Sequence, residues 1–168
     1  MNSSSAVGRV GIGFDSHRFA PGGPLILGGV TIPADVSLIA HSDGDAVCHA
    51  VTDAVLGAAG LGDIGEMFPD SDPGNRYRNS IEMLRAAVGR ARAGGWRVVN
   101  ADVTVVTEWP KLSQYREAMR VRLAEVLELV PAQVSVKGKT NERMGWIGRG
   151  EGLACIAVAM IAAATPGE

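Results

Sequence analysis

The sequence predicts a two-layer α/β (α+β) sandwich, ferredoxin-like in its layers, with a mixed sheet and helices on one face. Three observations carry this expectation. Glycine-punctuated apolar runs alternate with segments of helical period along the chain. The last run, GLACIAVAMIAAA from residue 152, is apolar at nearly every position, the pattern of a strand covered on both sides. With 168 residues and 46% hydrophobic content, the chain fits one domain, 1–168, with a real core. Three helices cover only one sheet face, so a second copy of the chain is the simplest cover for the other.

In order, RVGIGFD (9–15) reads as a strand and PLILGGVTIP (24–33) as two short strands broken at Gly28-Gly29. Ala46, Val47, Ala50, Val51, Ala54 and Val55 then recur at helical spacing and predict a helix over 44–60. Ser42 is its expected N-cap, with Asp45 three residues on. LGDIGEMFPDSDPGNRYR follows as a loop, and long loops inside small domains are often functional.

A second helix is expected over 78–93, with Ile81, Leu84 and Val88 on one stripe and Gly94-Gly95 as its stop. WRVVNADVTVVT (96–107) is a β-branched strand interrupted before Pro110. A third helix over 112–129 places Leu112, Tyr115, Met119, Leu123 and Val126 on one face. QVSVKGK is the next strand, and a glycine-rich turn leads into the last one. Residues 1–6, small and polar, are expected to be a disordered lead-in. There is no internal repeat.

Composition narrows the function. A net charge of −2 with no basic run lacks the electrostatic footprint of a nucleic-acid binder. No stretch reaches the roughly 18 apolar residues of a membrane span, and the start lacks a secretory pattern, so a cytoplasmic location is expected. Cys48 and Cys155 have neither zinc-ribbon nor disulfide spacing and read as buried free thiols.

The three histidines, His17, His41 and His49, all fall in the first third of the chain. In a strand, residues two apart face the same way, so Asp15 and His17 present an oxygen and a nitrogen to one point beyond the strand's end. His49, about two turns into the first helix, is a third candidate. Two His and one carboxylate with an open fourth position match a catalytic zinc site. Asp45, His49 and Asp53 share a helix face, where a carboxylate is available for the second ring nitrogen of His49. A solvated polar face has the same spacing, and the pattern alone leaves both readings open.

A second cluster, VSVKGKTNERMGWIGRGEG, supplies Lys139, Thr140, Glu142 and Arg149 among glycines, without Walker A spacing. Glycine-rich backbone, a lysine and a hydroxyl suit phosphate, although a plain polar turn would look similar. Glu142 beside such donors makes sense where a hard cation such as Mg²⁺ bridges it to the phosphate.

With these residues in view, the chain resembles the 2-C-methyl-D-erythritol 2,4-cyclodiphosphate synthase family over nearly its whole length. The resemblance runs from GIGFDSHRF through LGGVTIP, LIAHSDGDAVCHAVTDAVLGAAGLGDIGEMFPDSDP and PKL to GRGEGLACIAVAMI. It implies a homotrimer with active sites between subunits, and a zinc ion on Asp15, His17 and His49. It further implies that His41 and Thr140 steady a transferring diphosphate and that Glu142 holds Mg²⁺ or Mn²⁺.

By the same resemblance Ser42, Asp63, Gly65, Phe68 and Asp70 meet the methylerythritol phosphate end of the substrate. Thr107, Lys111, Leu112 and Ser113 meet its cytidine, and Lys139, Trp146 and Arg149 complete the set. Trp109, Trp146 and Lys139 depart from the usual family residues. The implied reaction closes 4-diphosphocytidyl-2-C-methyl-D-erythritol 2-phosphate into a cyclic diphosphate and releases CMP, and an isoprenoid diphosphate is a candidate occupant of the trimer's central cavity. A metal-dependent nucleotide hydrolase and a ligand-binding trimer without chemistry are the alternatives.

Overall fold

The sheet is assembled around the strand whose sequence is apolar on both sides. The structure is a computed structural model that describes residues 8–164, so the lead-in expected at 1–6 lies outside the described residues. Among the described residues there are seven strands: β1 (Arg9–Pro21), β2 (Leu25–Leu27), β3 (Val30–Ile32), β4 (Val36–Leu38), β5 (Trp96–Val106), β6 (Val134–Lys139) and β7 (Gly152–Ala163). Helices are α1 (Ala46–Ala59), α2 (Ile64–Met67), α3 (Ser80–Ala93), α4 (Arg116–Leu127) and α5 (Gly145–Gly148).

Five strands form a mixed sheet in the order β4-β1-β7-β5-β6, and β2 and β3 make a separate hairpin. Every neighbouring pair in the sheet is antiparallel except β5 and β6. The expected mixed sheet is therefore present, but the ferredoxin-like comparison needs correction. That unit runs β-α-β-β-α-β, whereas the long strands and helices here run β-α-α-β-α-β-β. The final strand crosses back to the centre, between β1 and β5, because it alone can bury side chains on both faces.

One sheet face carries α1, α3 and α4, and the core lies between. Leu153, Cys155, Ala157, Ala159 and Ile161 of β7 point into it, beneath Val47, Val51 and Leu84 of the helices. α1 sits directly on β1: a Cβ at Gly13 would lie 1.9 Å from the Ala50 carbonyl oxygen, and one at Gly11 would lie 2.0 Å from that of Ala54. Only glycine permits this approach, so the two residues fix the distance between strand and helix. Both cysteines are buried and unpaired, as expected.

On the opposite face β1 and β7 align three apolar pairs across the strands, Val10 with Met160, Ile12 with Val158 and Phe14 with Ile156. These side chains are exposed, Phe14 to 59% and Val10 to 67%. A contiguous exposed apolar patch of this kind marks an interaction surface. Among the described residues, no helix is long and apolar enough to cross a membrane.

Candidate active site

Asp15 and His17 lie on β1 on the same side as Gly11 and Gly13, facing α1. They are mid-strand rather than at a strand's end: β1 continues to Pro21, held by pairing of Arg18 with Gly152 and of Phe19 with Leu38. Because α1 is seated on Gly13, its first turns bring His49 against them. Asp15 Oδ2 is 2.9 Å from His17 Nε2 and 3.0 Å from His49 Nδ1, and the two ring nitrogens are 3.2 Å apart. Tetrahedral ligands held at zinc distances are spaced about 3.3–3.4 Å from one another. The three expected ligands thus form a triangle close to one face of such a tetrahedron, and they are the group of potential metal ligands found among the described residues.

The remaining ring nitrogens set the tautomers. His17 Nδ1 lies 3.0 Å from the Ile39 carbonyl, which only accepts, so Nδ1 carries the proton and Nε2 its lone pair. His49 Nε2 lies 2.9 Å from both Ser42 Oγ and Ser80 Oγ. The Ser80 hydroxyl donates through a short hydrogen bond to Asp43, leaving its oxygen to accept from His49. As neutral rings both imidazoles therefore aim lone pairs toward Asp15, a donor set that suits a cation, and a proton taken up on an inward nitrogen becomes instead a hydrogen bond to the carboxylate.

Burial works to raise the Asp15 pKa, but hydrogen bonds with His17 and His49 outweigh it and hold the carboxyl well below the usual range. Burial likewise works to lower the His17 pKa, and the Asp15 carboxylate outweighs it, so His17 is raised above its ordinary value.

The second-nitrogen partner expected from the helix face needs correction. Asp45, not Ser42, caps α1, accepting from the Val47 and Cys48 N–H groups. The same buried carboxylate accepts from Gly28 N–H at 2.8 Å and Gly29 N–H at 2.6 Å, pinning the β2–β3 turn to the start of α1. Asp53 accepts from Ile64 N–H, and burial raises its pKa. Neither carboxylate reaches the second nitrogen of His49. Spacing could not reveal Ser80 and Asp43, because the loop that carries Ser80 back to α1 has no local signature.

A cavity of about 280 Å³ opens beside the triad, lined by His17 and His49 together with His41, Ser42, Gly65, Phe68, Asp70 and Asn75. Phe68 lies beneath the Arg78 guanidinium, 4.8 Å from its ring centre. Asp63 does not line this cavity; it caps α2, a helical turn inside the expected loop, by accepting from Glu66 N–H.

A second cavity, of about 300 Å³, lies at the β5–β6 end of the sheet and contains Thr107, Lys111, Leu112, Ser113, Lys139 and Thr140, with Arg116 added by the structure. Among the described residues none lines both cavities. Thr140 Oγ1 donates to Glu142 Oε1 at 2.8 Å, so the expected phosphate-steadying hydroxyl and cation ligand are neighbours on one turn. Trp146 instead lines a smaller cleft with Ser16, His17, Arg18 and Glu151, while Arg149 is paired with Glu151 at 2.6 Å.

Comparison with known proteins agrees with this geometry. A family profile described as the YgbB family matches residues 8–162. The 2-C-methyl-D-erythritol 2,4-cyclodiphosphate synthase of Gemmatimonas aurantiaca is 63% identical over 155 residues, covering 92% of this chain and 93% of that protein. The protein of the same name from Alkalilimnicola ehrlichii is 56% identical over 92% of this chain and 94% of its own length.

Among solved structures, a Plasmodium falciparum IspF in complex with CDP superposes with a TM-score of 0.83 at 34% identity, covering 96% of this chain and all of that one. The bifunctional IspDF of Campylobacter jejuni superposes with a TM-score of 0.91 at 42% identity, covering 95% of this chain. The present chain spans 43% of that longer protein. A mixed five-stranded sheet with helices on one face, a potential metal triad on β1 and α1, and a profile match over almost the full length, beside relatives named 2-C-methyl-D-erythritol 2,4-cyclodiphosphate synthase, make the chain a member of the YgbB family.

Proposed function

We propose that the chain converts 4-diphosphocytidyl-2-C-methyl-D-erythritol 2-phosphate into 2-C-methyl-D-erythritol 2,4-cyclodiphosphate and CMP, a phosphorus–oxygen lyase step of non-mevalonate isoprenoid synthesis. The observation that carries the reading is the convergence of Asp15, His17 and His49 beside a cavity that His17 and His49 line together with His41 and Ser42, in a chain 63% identical to a synthase of that name.

The reaction joins the 2-phosphate to the β-phosphorus of the same molecule and expels CMP, so no side chain needs to become covalently attached. What it needs is a folded-over polyanion held in line. His41 and Ser42 hold the phosphate at the metal end, with Gly65, Phe68 and Asp70 closing around the methylerythritol. Thr107, Lys111, Leu112 and Ser113 seat the cytidine, and Thr140 donates to the diphosphate between the two ends. Divalent ions, zinc on Asp15, His17 and His49 and Mg²⁺ or Mn²⁺ at Glu142, would supply Lewis-acid polarisation and charge neutralisation when bound.

The two cavities lie in different parts of one chain, and this supports a homotrimer in which the metal half of one subunit meets the nucleotide half of the next. The apolar rows Val10, Ile12, Phe14 and Ile156, Val158, Met160 are the natural contact surface, and an apolar tail such as that of an isoprenoid diphosphate fits a cavity at their centre. Two buried, unpaired thiols fit a reducing cytoplasm.

Incubation of the chain with the substrate, Zn²⁺ and Mg²⁺ tests the reading by ³¹P NMR. The expected result is a cyclic diphosphate formed in step with CMP, lost in Thr140→Ala. Open-chain phosphates would instead make the chain a hydrolase, and unreacted substrate would overturn the reading.

A further inference from the structure

The turn that presents Glu142 adopts a backbone its own sequence disfavours. Met144 N–H donates to the Asn141 carbonyl at 2.9 Å, and the two central residues, Glu142 and Arg143, have φ of 51° and 60°. Turns with both central residues at positive φ are dominated by Gly, Asn and Asp. Neither Glu nor Arg belongs to that set, so the conformation must be imposed by the surroundings.

Two anchors impose it. Gly148 leaves room for the turn to fold back, since a Cβ there would stand 2.0 Å from the Arg143 carbonyl carbon. Glu108 supplies the other: its Oε1 accepts from Asn141 N–H at 2.9 Å and from Arg143 N–H at 3.1 Å, the amides on either side of Glu142. Glu108 is placed for this by the last rung of the sheet, where Thr107 N–H donates to the Lys139 carbonyl at 2.9 Å.

We propose that Glu108 is a positioning residue for the reaction, holding the Asn141–Met144 turn so that Thr140 and Glu142 stay aligned with the nucleotide cavity. Glu108 borders the nucleotide cavity, but its Oε1 is taken up by the two turn amides, and it acts through the turn. The role requires an acceptor oxygen and not a negative charge, because both partners are backbone N–H groups. The catalytic part of this inference rests on the cyclodiphosphate synthase reading given above.

Glu108→Ala and Glu108→Gln in the full chain decide the matter. A catalytic group displaced by about 1 Å can lose roughly 10²-fold in rate. The alanine variant is therefore expected to lose about 10- to 100-fold in kcat for CMP release, with KM within about threefold because Thr107 and Lys111 to Ser113 remain in place. Mn²⁺ affinity, read by electron paramagnetic resonance, should weaken in parallel, and deuterium uptake by the 140–144 peptide should accelerate. Glutamine keeps an acceptor oxygen and is expected to restore most of the rate and the slow exchange.

Wild-type kcat and exchange in Glu108→Ala would overturn the proposal. So would a glutamine variant as impaired as the alanine one, since the charge would then be the working feature. Exchange is read without substrate, so it judges the holding role even if the unmodified chain released no CMP, a failure that would belong to the synthase reading alone.

Discussion

Gly13 of β1 and Ala50 of α1 touch backbone to backbone, with room for nothing larger than hydrogen between them. The contact sets how far His49, one residue before Ala50, stands from Asp15 and His17. Gly13→Ala would drive a methyl group into the helix backbone, which cannot rotate away as a side chain can. Expected are a loss of about 1–3 kcal/mol in urea unfolding, as for other overpacked interiors, and weaker zinc binding from a widened triad. Unchanged stability and zinc affinity would contradict this account.

Asp45 joins the β2–β3 turn to the first turn of α1 through four backbone N–H groups and is itself fully buried. Replacing it with alanine removes a helix cap and strands the Gly28 and Gly29 donors. A loss of at least about 2 kcal/mol is expected. Denaturant titration measures it, and a change below about 0.5 kcal/mol, typical of an uninvolved surface site, would show that water replaces the carboxylate.

How far the sequence revealed this site depends on how local each cause was. Residues two apart on a strand must share a face, so Asp15 and His17 were legible, and helical spacing placed His49. The true length of β1 was not, because its second half is strand only by pairing with β7 and β4. Ser42 looked like a cap, yet Asp45 reaches the Val47 and Cys48 amides and leaves the Ser42 hydroxyl to His49. The one-turn helices α2 and α5 are too short to show a period. Ser80 and Asp43 meet across 37 residues, a separation no local pattern encodes.

The raised pKa of His17 gives the proposed zinc binding a definite pH dependence. In the metal-free fold His17 holds its proton more tightly than in the unfolded chain, where the ordinary value is 6.5. This group's stabilising contribution is therefore fully present below that value and is lost as pH rises through the folded pKa. Zinc requires the neutral ring and competes with the same proton. Apparent zinc affinity should be flat at high pH and should begin falling above 6.5, by about tenfold per unit once His17 is protonated. Chelator competition between pH 5.5 and 8.5 measures the curve, and a fall beginning only well below the ordinary value would show that Asp15 does not hold the proton on His17.

Phe14 and Ile156 face each other across β1 and β7 on the uncovered side of the sheet. Phe14→Glu places a charge on that surface without touching the core behind it. Light scattering is expected to show three copies reduced to one at micromolar concentration, with the circular dichroism of the fold retained. A variant that kept the mass of the unmodified protein would remove this face from the interface.

The separation of the two cavities has a genetic consequence. A chain disabled in its metal half, such as His49→Ala, and one disabled in its nucleotide half, such as Thr140→Ala, each carry one intact half of the site. Refolded together in equal amounts, the two dead proteins should regain activity if the proposed homotrimer forms, because such a ring of three joins an intact half to an intact half at roughly one junction in four. Two recessive alleles of this single gene would then rescue each other in one cell.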